Sequence, residues 1–171
     1  MSMPIRTKVK SITKGDTLIV ELDETIFYPG GGGQPHDTGK ILSGSFSGSV
    51  IEVFKKDNKI LHRVKPISGT LSEGDEVVAE IDEKRRESLQ RMHTGEHILF
   101  KCLEMSLGEI KLRKIDLDER ESSLFIEFGG EITWEKIFNA EEIANRIIKE
   151  DREIIERVYS KDNLPAGIRA K

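Results

Sequence analysis

Cysteine is almost absent from this sequence, in which Cys102 is the one thiol among 171 residues. A lone cysteine excludes an intrachain disulfide framework and a zinc knuckle built from cysteine pairs. Long apolar runs are lacking too, since no stretch approaches the ~18–20 apolar residues of a membrane-spanning helix. The first residues also lack the apolar core of a signal peptide. The sequence therefore predicts a protein with no membrane partner and a cytoplasmic location.

An excess of positive charge is also missing. The chain carries 27 Lys and Arg residues against 31 Asp and Glu residues, which gives a formal net charge of -4. Proteins that hold nucleic acid by bulk electrostatics are strongly basic, so any contact with nucleic acid is expected to be local. The 36% hydrophobic and 34% charged content is ordinary for a soluble protein, and the length allows one large domain or two small ones.

The first half of the chain has the pattern of β structure. Short runs rich in Val, Ile, Leu and Thr are separated by turn signals that contain Gly, Asp and Asn, and they lie at 5–9, 17–22, 49–54, 60–64 and 76–81. Several short strands at this spacing predict a small barrel or a compact sheet. We expect residues 1–82 to form a β-rich, barrel-like module.

A helix with two histidines is predicted next, from about residue 83 to 105, with Asp82 as its N-cap. His93 and His97 are four residues apart, so a helix places them on one face, and together they make half of a zinc site. Cys102 lies about 140° around the helix from His97 and is expected to be a small core residue instead. Gly95 costs about 1 kcal/mol in a helix, so we expect something to approach closely between the histidines.

The same spacing leaves other interpretations open. Paired histidines on a helix are often only partly buried polar residues. The string from His93 to His97 also matches the short H-x-x-E-H motif of zinc peptidases, in which Glu96 would polarise a bound water. The basic cluster at 84–86 is either a solvated helix face or a means of bringing phosphate backbone toward the metal.

A second unusual stretch lies inside the β-rich half, at 27–39. Its four consecutive glycines, at 30–33, allow positive φ and close approach of the backbone to a partner. Successive N–H groups there could form a nest for a phosphate or carboxylate, and the alternative is a flexible loop between strands. Phe27 and Tyr28 lead into it and are expected either to stack on a base or to pack in the core. No lysine of a P-loop and no dinucleotide-binding helix follows.

The rest of the chain predicts an α+β domain over 83–171, with helices packed on an antiparallel sheet. Two strands are expected at 111–117 and 123–128, and a helix capped by Thr133 is expected to reach about Glu150. A last strand is expected at 153–159. The buried stripe of the second helix is predicted to contain Ile137, Ala140, Ala144, Ile147 and Ile148.

Taken together, these motifs resemble a known family. The stretch at 27–39, the His-Thr-Gly-Glu-His run at 93–97, and the segments at 143–148 and 163–169 are similar in order and spacing to the editing region of alanyl-tRNA synthetase. They are more similar still to its free-standing relatives, the AlaX-type trans-editing proteins. The resemblance covers nearly the whole chain.

This resemblance implies hydrolysis of tRNA for alanine that is wrongly charged with serine or glycine, by cleavage of the ester at the 3′ end. In the family, the histidines that match His93 and His97 bind zinc together with a later Cys-x-x-x-His pair, which this sequence does not contain. The glycine-rich module, here Gly31, Gly32, Gly33 and Gln34, lies beside the editing pocket. With two histidines alone we expect weak zinc binding, and His36 is a further possible ligand.

Three functions stay open from the sequence. The first is a zinc-dependent aminoacyl-tRNA hydrolase, in which Thr25, Gln34 and Thr94 are candidates to recognise the serine hydroxyl, which alanine lacks. Each of the three could equally be a turn or cap residue. The second is a zinc peptidase of the H-x-x-E-H kind. The third is a non-catalytic tRNA-binding module that has lost its metal.

Overall fold

The structure, a computed structural model, describes residues 3–155, 159–160 and 163. The first half of the chain forms a closed six-stranded barrel in which every neighbouring pair of strands is antiparallel. Its strands are β1 (Ile5–Thr13), β2 (Leu18–Leu22), β3 (Gly39–Leu42), β4 (Ser47–Lys56), β5 (Lys59–Ser68) and β6 (Glu76–Ile81). They neighbour one another in the order β1-β2-β5-β4-β3-β6, with β6 closing onto β1.

Alternating apolar residues build the interior of the barrel. Strand side chains point to opposite faces in turn, so every second residue of a strand can enter the core. The side chains with no exposed surface include Val20, Ile41, Val64 and Ala79, from four different strands. Closure of the sheet leaves none of these six strands as an unpaired edge. The barrel predicted from the strand spacing is therefore confirmed.

Strand β3 was not predicted, because it has four residues and directly follows the glycine-rich stretch. It pairs with both β4 and β6, and Gly39 lies opposite Ile81. A Cβ atom on Gly39 would overlap the carbonyl oxygen of Glu80. The glycine is thus required by the close approach of β3 to β6, a constraint that arises only when the barrel closes.

The second part begins with the helix α1 (Glu83–Leu107). As predicted, Asp82 is its N-cap, and Asp82 Oδ1 accepts a hydrogen bond from the backbone N–H of Arg85 at 3.1 Å. The remaining elements are β7 (Lys111–Leu117), β8 (Ser122–Glu127) and α2 (Trp134–Lys149). Thr133 caps α2, also as predicted, through a hydrogen bond from Lys136 N. These elements confirm the α+β class, while the division at residues 82 and 83 stays a prediction.

A separate apolar core joins the two helices to the β7–β8 ribbon. Its buried members are Cys102, Leu103, Leu107, Ile110, Ala140 and Ala144. The prediction that Cys102 is a small core residue is confirmed, and Ile137 and Ile147 pack against this core as expected. Ile148 does not, since 53% of its surface is exposed. It lies in the last turn of α2, which ends at Lys149, where the core no longer covers the stripe.

The predicted last strand at 153–159 is wrong where the structure describes it. Residues 153–155 and 159 have no strand conformation, and 156–158 lie outside the described residues. A strand needs a backbone partner, and among the described residues the second sheet contains β7 and β8 alone. Within the described part of the chain, no helix has the length and apolarity to cross a bilayer.

Candidate functional site

The two histidines of α1 meet at the surface of the helix. His93 Nε2 and His97 Nε2 are 3.1 Å apart, and the ring centroids are separated by 4.8 Å. This arrangement follows from local geometry, because residues four apart stack along one face of a helix. Two nitrogens bound at 2.0–2.1 Å to a tetrahedral zinc ion are ~3.3 Å apart. The pair therefore fits two corners of such a site.

No third ligand joins the pair among the residues that the structure describes, which contain no group of three or more His, Cys, Asp or Glu able to hold a metal. His36, considered as a further ligand, instead directs Nδ1 to the carbonyl oxygen of Asp37 at 2.9 Å. His62 is fully buried in β5, where burial lowers its pKa. The described side chains could thus supply at most half of a zinc coordination shell.

A cavity of about 830 Å³ lies beside His97. It runs between α1 and the end of α2, and most of its wall is apolar. Its lining residues are Gln90, Arg91, Thr94, Gly95, His97, Ile98, Lys101, Cys102, Met105, Ile147, Ile148, Asp151, Arg152, Glu153 and Ile154. Thr94 and His97, both predicted site residues, therefore line one cavity.

Gly95 is open to this cavity. A Cβ atom built on Gly95 would meet no described atom within 4 Å, so no described part of the protein makes the close approach that a glycine permits. Two residues of helix rotate Gly95 by about 200° from each histidine, so the space that it leaves does not lie between them. That space is available to a bound molecule.

Glu96 is adjacent to His97 in sequence but is buried, with 5% of its surface exposed. Neither carboxylate oxygen has a hydrogen-bond partner among the described residues, and burial raises the pKa of this group. A peptidase glutamate has to contact a metal-bound water. A buried carboxylate with so little exposed surface does not suit that role.

The glycine stretch is an ordered hairpin rather than a flexible loop. Gly31 and Gln34 exchange two backbone hydrogen bonds of 3.0 Å, and Gly32 and Gly33 between them have φ of 62° and 91°. Positive φ at both central residues is typical of the tight type I′ hairpin turn. The Tyr28 hydroxyl donates to the carbonyl oxygen of Gly31 at 2.8 Å. We call residues 28–37 the glycine hairpin, and its tip is open because a Cβ on Gly32 or Gly33 would meet nothing within 4 Å.

The base of the glycine hairpin is fixed to α1 by a buried ion pair. Asp37, with 1% of its surface exposed, accepts a hydrogen bond from Tyr28 N at 2.6 Å and from Arg86 Nε at 3.1 Å. A second nitrogen of Arg86 contacts the other carboxylate oxygen and donates to Ile26 O at 2.7 Å. We call this arrangement the Asp37–Arg86 clasp. Arg85 adds a hydrogen bond of 2.5 Å to the carbonyl oxygen of His36.

The clasp is not apparent from the sequence, in which the basic cluster at 84–86 predicts a solvated face or a phosphate contact. The structure shows that interpretation to be wrong for Arg86, whose side chain is 17% exposed. One signal was available in the sequence. Arg86 precedes His93 by seven residues, which places both on nearly the same face of a helix.

The residues before the hairpin belong to the barrel. Phe27 is buried with 2% exposure, which confirms core packing over base stacking, and its ring meets the ring of His62 edge-on. Thr25 Oγ1 lies 2.8 Å from His62 Nε2 and also accepts from Phe27 N. The Thr25 hydroxyl is thus engaged within the barrel, whereas Thr94 lines the cavity on α1. The assignment of Thr25 and Gln34 to substrate stays a prediction.

Comparison with known proteins shows which class of protein the barrel is similar to. The family model described as "tRNA synthetases class II (A)" matches residues 3–85. This match covers the barrel and the first residues of α1, and it ends before His93. The barrel with its glycine hairpin is therefore similar to a part of class II tRNA synthetases.

Individual relatives narrow the similarity. The chain is 35% identical over 173 aligned residues to the alanyl-tRNA editing protein AlaX-L of Pyrococcus horikoshii, an alignment that spans 98% of this chain and 40% of that relative. It is 39% identical over 133 residues to alanine–tRNA ligase of Methanocorpusculum labreanum, which covers 77% of this chain and 14% of the ligase. The chain thus spans less than half the length of these curated relatives. The matches confirm the resemblance to the AlaX-type editing proteins.

Proposed function

We propose that this chain is an aminoacyl-tRNA hydrolase that removes serine or glycine from wrongly charged tRNA for alanine. The observation that carries the proposal is the pair of imidazole nitrogens 3.1 Å apart beside the cavity that contains Thr94. Alanyl-tRNA editing is the activity named for the relative that aligns over 98% of the chain. A cytoplasmic location, where charged tRNA is used, is part of the proposal.

The proposed reaction is hydrolysis of an ester. Water attacks the carbonyl carbon, the bond from that carbon to the ribose oxygen breaks, and the ribose oxygen takes up a proton as the amino acid leaves. His93 and His97 would hold a zinc ion, which when bound can polarise a carbonyl or lower the pKa of water toward ~7. The remaining ligands would come from water, from substrate or from chain beyond the described residues.

Thr94 is the residue best placed to distinguish serine from alanine. Thr94 lines the same cavity as His97, where its hydroxyl could exchange a hydrogen bond with the serine side chain. A site built to bond a hydroxyl rejects the analogue that lacks it by as much as ~10⁴–10⁵. Alanine bound there would leave the Thr94 hydroxyl without a partner in a largely apolar cavity, so correctly charged tRNA would be spared.

The cavity also offers cations for contact with tRNA in a chain of net charge -4. Arg91, Lys101 and Arg152 are among its lining residues, beside the acidic Asp151 and Glu153. Arg91 and Lys101 form exposed ion pairs with Glu87 and Glu104 on the same helix. Such exposed pairs contribute little to stability, so these cations can turn to phosphate at low cost.

A second candidate function is a non-catalytic tRNA-binding module. The observation that favours it is the absence of a third metal ligand among the described residues. The peptidase alternative is disfavoured, because Glu96 is buried and has no hydrogen-bond partner among the described residues.

Deacylation measured with zinc present separates the two candidates. Seryl-, glycyl- and alanyl-tRNA for alanine are incubated with the chain and with its His93→Ala and His97→Ala variants. Ser88→Ala is the control, because Ser88 is an exposed residue of the same helix that is not among the residues lining the cavity. The hydrolase proposal expects selective loss of serine or glycine that both pair variants abolish and the control retains. Retained tRNA binding without any hydrolysis by the unmodified chain supports the binding module.

A further inference from the structure

The Asp37–Arg86 clasp and the histidine pair occupy the same face of one helix. Successive residues of a helix are rotated by about 100°. Around the helix axis, His93 is therefore ~20° from Arg86 in one direction, and His97 is ~20° from Arg86 in the other direction. The rise of about 1.5 Å per residue places His93 roughly 10 Å along the axis from Arg86. Helix α1 is continuous from Glu83 to Leu107, so this separation is fixed.

The glycine hairpin is held at its base and open at its tip. Asp37 N donates to Tyr28 O at 2.9 Å, and Tyr28 N donates to the Asp37 carboxylate at 2.6 Å. The tip at Gly32 and Gly33 lies four residues beyond this base, a reach of at most roughly 13 Å at the ~3.3 Å per residue of a fully extended chain. This exceeds the roughly 10 Å from Arg86 to His93 along α1 but not the roughly 17 Å to His97, so the hairpin is long enough to reach the level of His93.

We propose that Arg86 and Asp37 are positioning residues that hold the glycine hairpin in register with the His93–His97 pair. The barrel then contributes one wall of the deacylation site, and α1 contributes the opposite wall. This inference rests on the proposed hydrolase function. Neither residue touches the reacting ester, and both act through the hairpin that they fix.

The chemistry of the clasp explains why arginine serves this role. Arg86 uses two donors on the Asp37 carboxylate and a third contact on the carbonyl oxygen of Ile26. A planar guanidinium makes these directed contacts at once, whereas a lysine ammonium acts as a single point charge. Loss of Arg86 also leaves the Asp37 carboxylate buried without its counter-charge, a strongly unfavourable state. The hairpin base is expected to open to relieve that cost.

The test compares Arg86→Met, Arg86→Lys and Asp37→Asn with the control Arg63→Met. Arg63 forms a partly exposed ion pair with Glu52 at 2.6 Å on the barrel, away from the hairpin. Hydrogen exchange reports the hairpin directly through the backbone amides of Tyr28 and Asp37. We expect both amides to exchange at least about tenfold faster in Arg86→Met, with amides in β4 and α2 unchanged.

Kinetics and binding report whether the opened hairpin matters for function. We expect kcat/KM for seryl-tRNA to fall by about 100-fold in Arg86→Met, which is the scale of a small misplacement of reacting groups. The kcat/KM of Arg86→Lys should lie between that of Arg86→Met and that of the unmodified chain, and the kcat/KM of Arg63→Met should equal that of the unmodified chain. A non-hydrolysable seryl-amide tRNA gives a second readout, with affinity expected to follow the same order.

The outcomes separate this proposal from the proposed function. If the hairpin amides of Arg86→Met exchange faster but kcat/KM and affinity are unchanged, the positioning role is overturned. If their exchange is unchanged, the clasp does not hold the hairpin base. If the unmodified chain binds the seryl-amide tRNA but hydrolyses nothing, the hydrolase proposal is overturned. In that case, weaker binding by the clasp variants still supports the role of Arg86 and Asp37 in holding the hairpin. If the unmodified chain neither binds nor hydrolyses, both proposals are overturned.

Discussion

The Nε2 atom of His62 lies 2.8 Å from the Oγ1 atom of Thr25, so a buried imidazole of the barrel is bonded to the segment that leads into the glycine hairpin. Nδ1 of the same ring lies 2.9 Å from the carbonyl oxygen of Val20. Both ring nitrogens of this buried side chain are therefore satisfied.

Thr25→Val should destabilise the protein, because it keeps the shape of the side chain but removes the partner of buried His62. Leaving one buried polar atom unsatisfied costs about 1–3 kcal/mol of the free energy of unfolding. Thr25→Ser retains the hydroxyl and should lose much less. Urea unfolding measures both variants, and equal stability of the valine and serine variants would contradict the role of this hydrogen bond.

Glu21 should make the stability of the barrel depend on acid pH. Hydrogen bonds from Lys59 and Lys10 lower the pKa of its carboxyl from 4.5 to about 2. A carboxyl with a depressed pKa in the folded state stabilises the protein above its unfolded pKa, so this contribution is complete above about pH 4.5 and is lost toward pH 2. The free energy of unfolding of Glu21→Gln, followed from pH 6 to pH 2, should fall less steeply than that of the unmodified chain. Parallel pH profiles for the two proteins would show that Glu21 is not responsible.

Glu96→Leu should stabilise the protein at neutral pH. The carboxylate of Glu96 is buried without a hydrogen-bond partner among the described residues, and an apolar side chain of similar size removes that penalty of about 1–3 kcal/mol. The expected result is a higher urea midpoint with an unchanged slope. Glu96→Gln is the control for shape. A lower midpoint for the leucine variant would mean that the carboxylate has a partner.

A substitution at Gly39 should lower the stability of the protein, whereas a substitution at Gly32 should lower its activity. Gly39→Ala should destabilise the barrel, because its Cβ overlaps the backbone of Glu80 where β3 meets β6.

Gly32 has φ of 62° and open space around it. Gly32→Asn should fold, because asparagine tolerates this conformation, whereas Gly32→Val is strained there. We expect both Gly32 variants to lose deacylation more than stability, because a side chain at the tip blocks close backbone approach. Thermal unfolding beside the deacylation assay measures each effect, and full activity in a folded Gly32→Asn variant would contradict the prediction.

Zinc binding by this 171-residue chain should be weak. Complete structural zinc sites contribute about 10–16 kcal/mol, and a two-histidine site lacks half of the protein ligands. Equilibrium dialysis should give less than one tightly held zinc per chain, and His97→Ala should remove the remainder. Stoichiometric zinc that survives dialysis against a chelator would refute this and indicate ligands beyond the described residues.

Much of the fold follows from local patterns. The five predicted barrel strands were found because β-branched runs alternate with turn residues, and both helix caps were found because Asp82 and Thr133 precede apolar helical spacing. Strand β3 and the exposure of Ile148 were not predicted, since each depends on which surfaces meet after folding. The buried state of Glu96 has the same origin.

The sequence by itself determined the meeting of His93 and His97, because four residues of helix bring two side chains together without help from any other part of the chain. Tertiary structure alone decided what surrounds them. The clasp joins Asp37 to a residue 49 positions away, and the cavity beside His97 needs α1 and the end of α2 to lie side by side. Contacts of that kind depend on how the barrel closes and how the helices pack, and no local pattern specifies either.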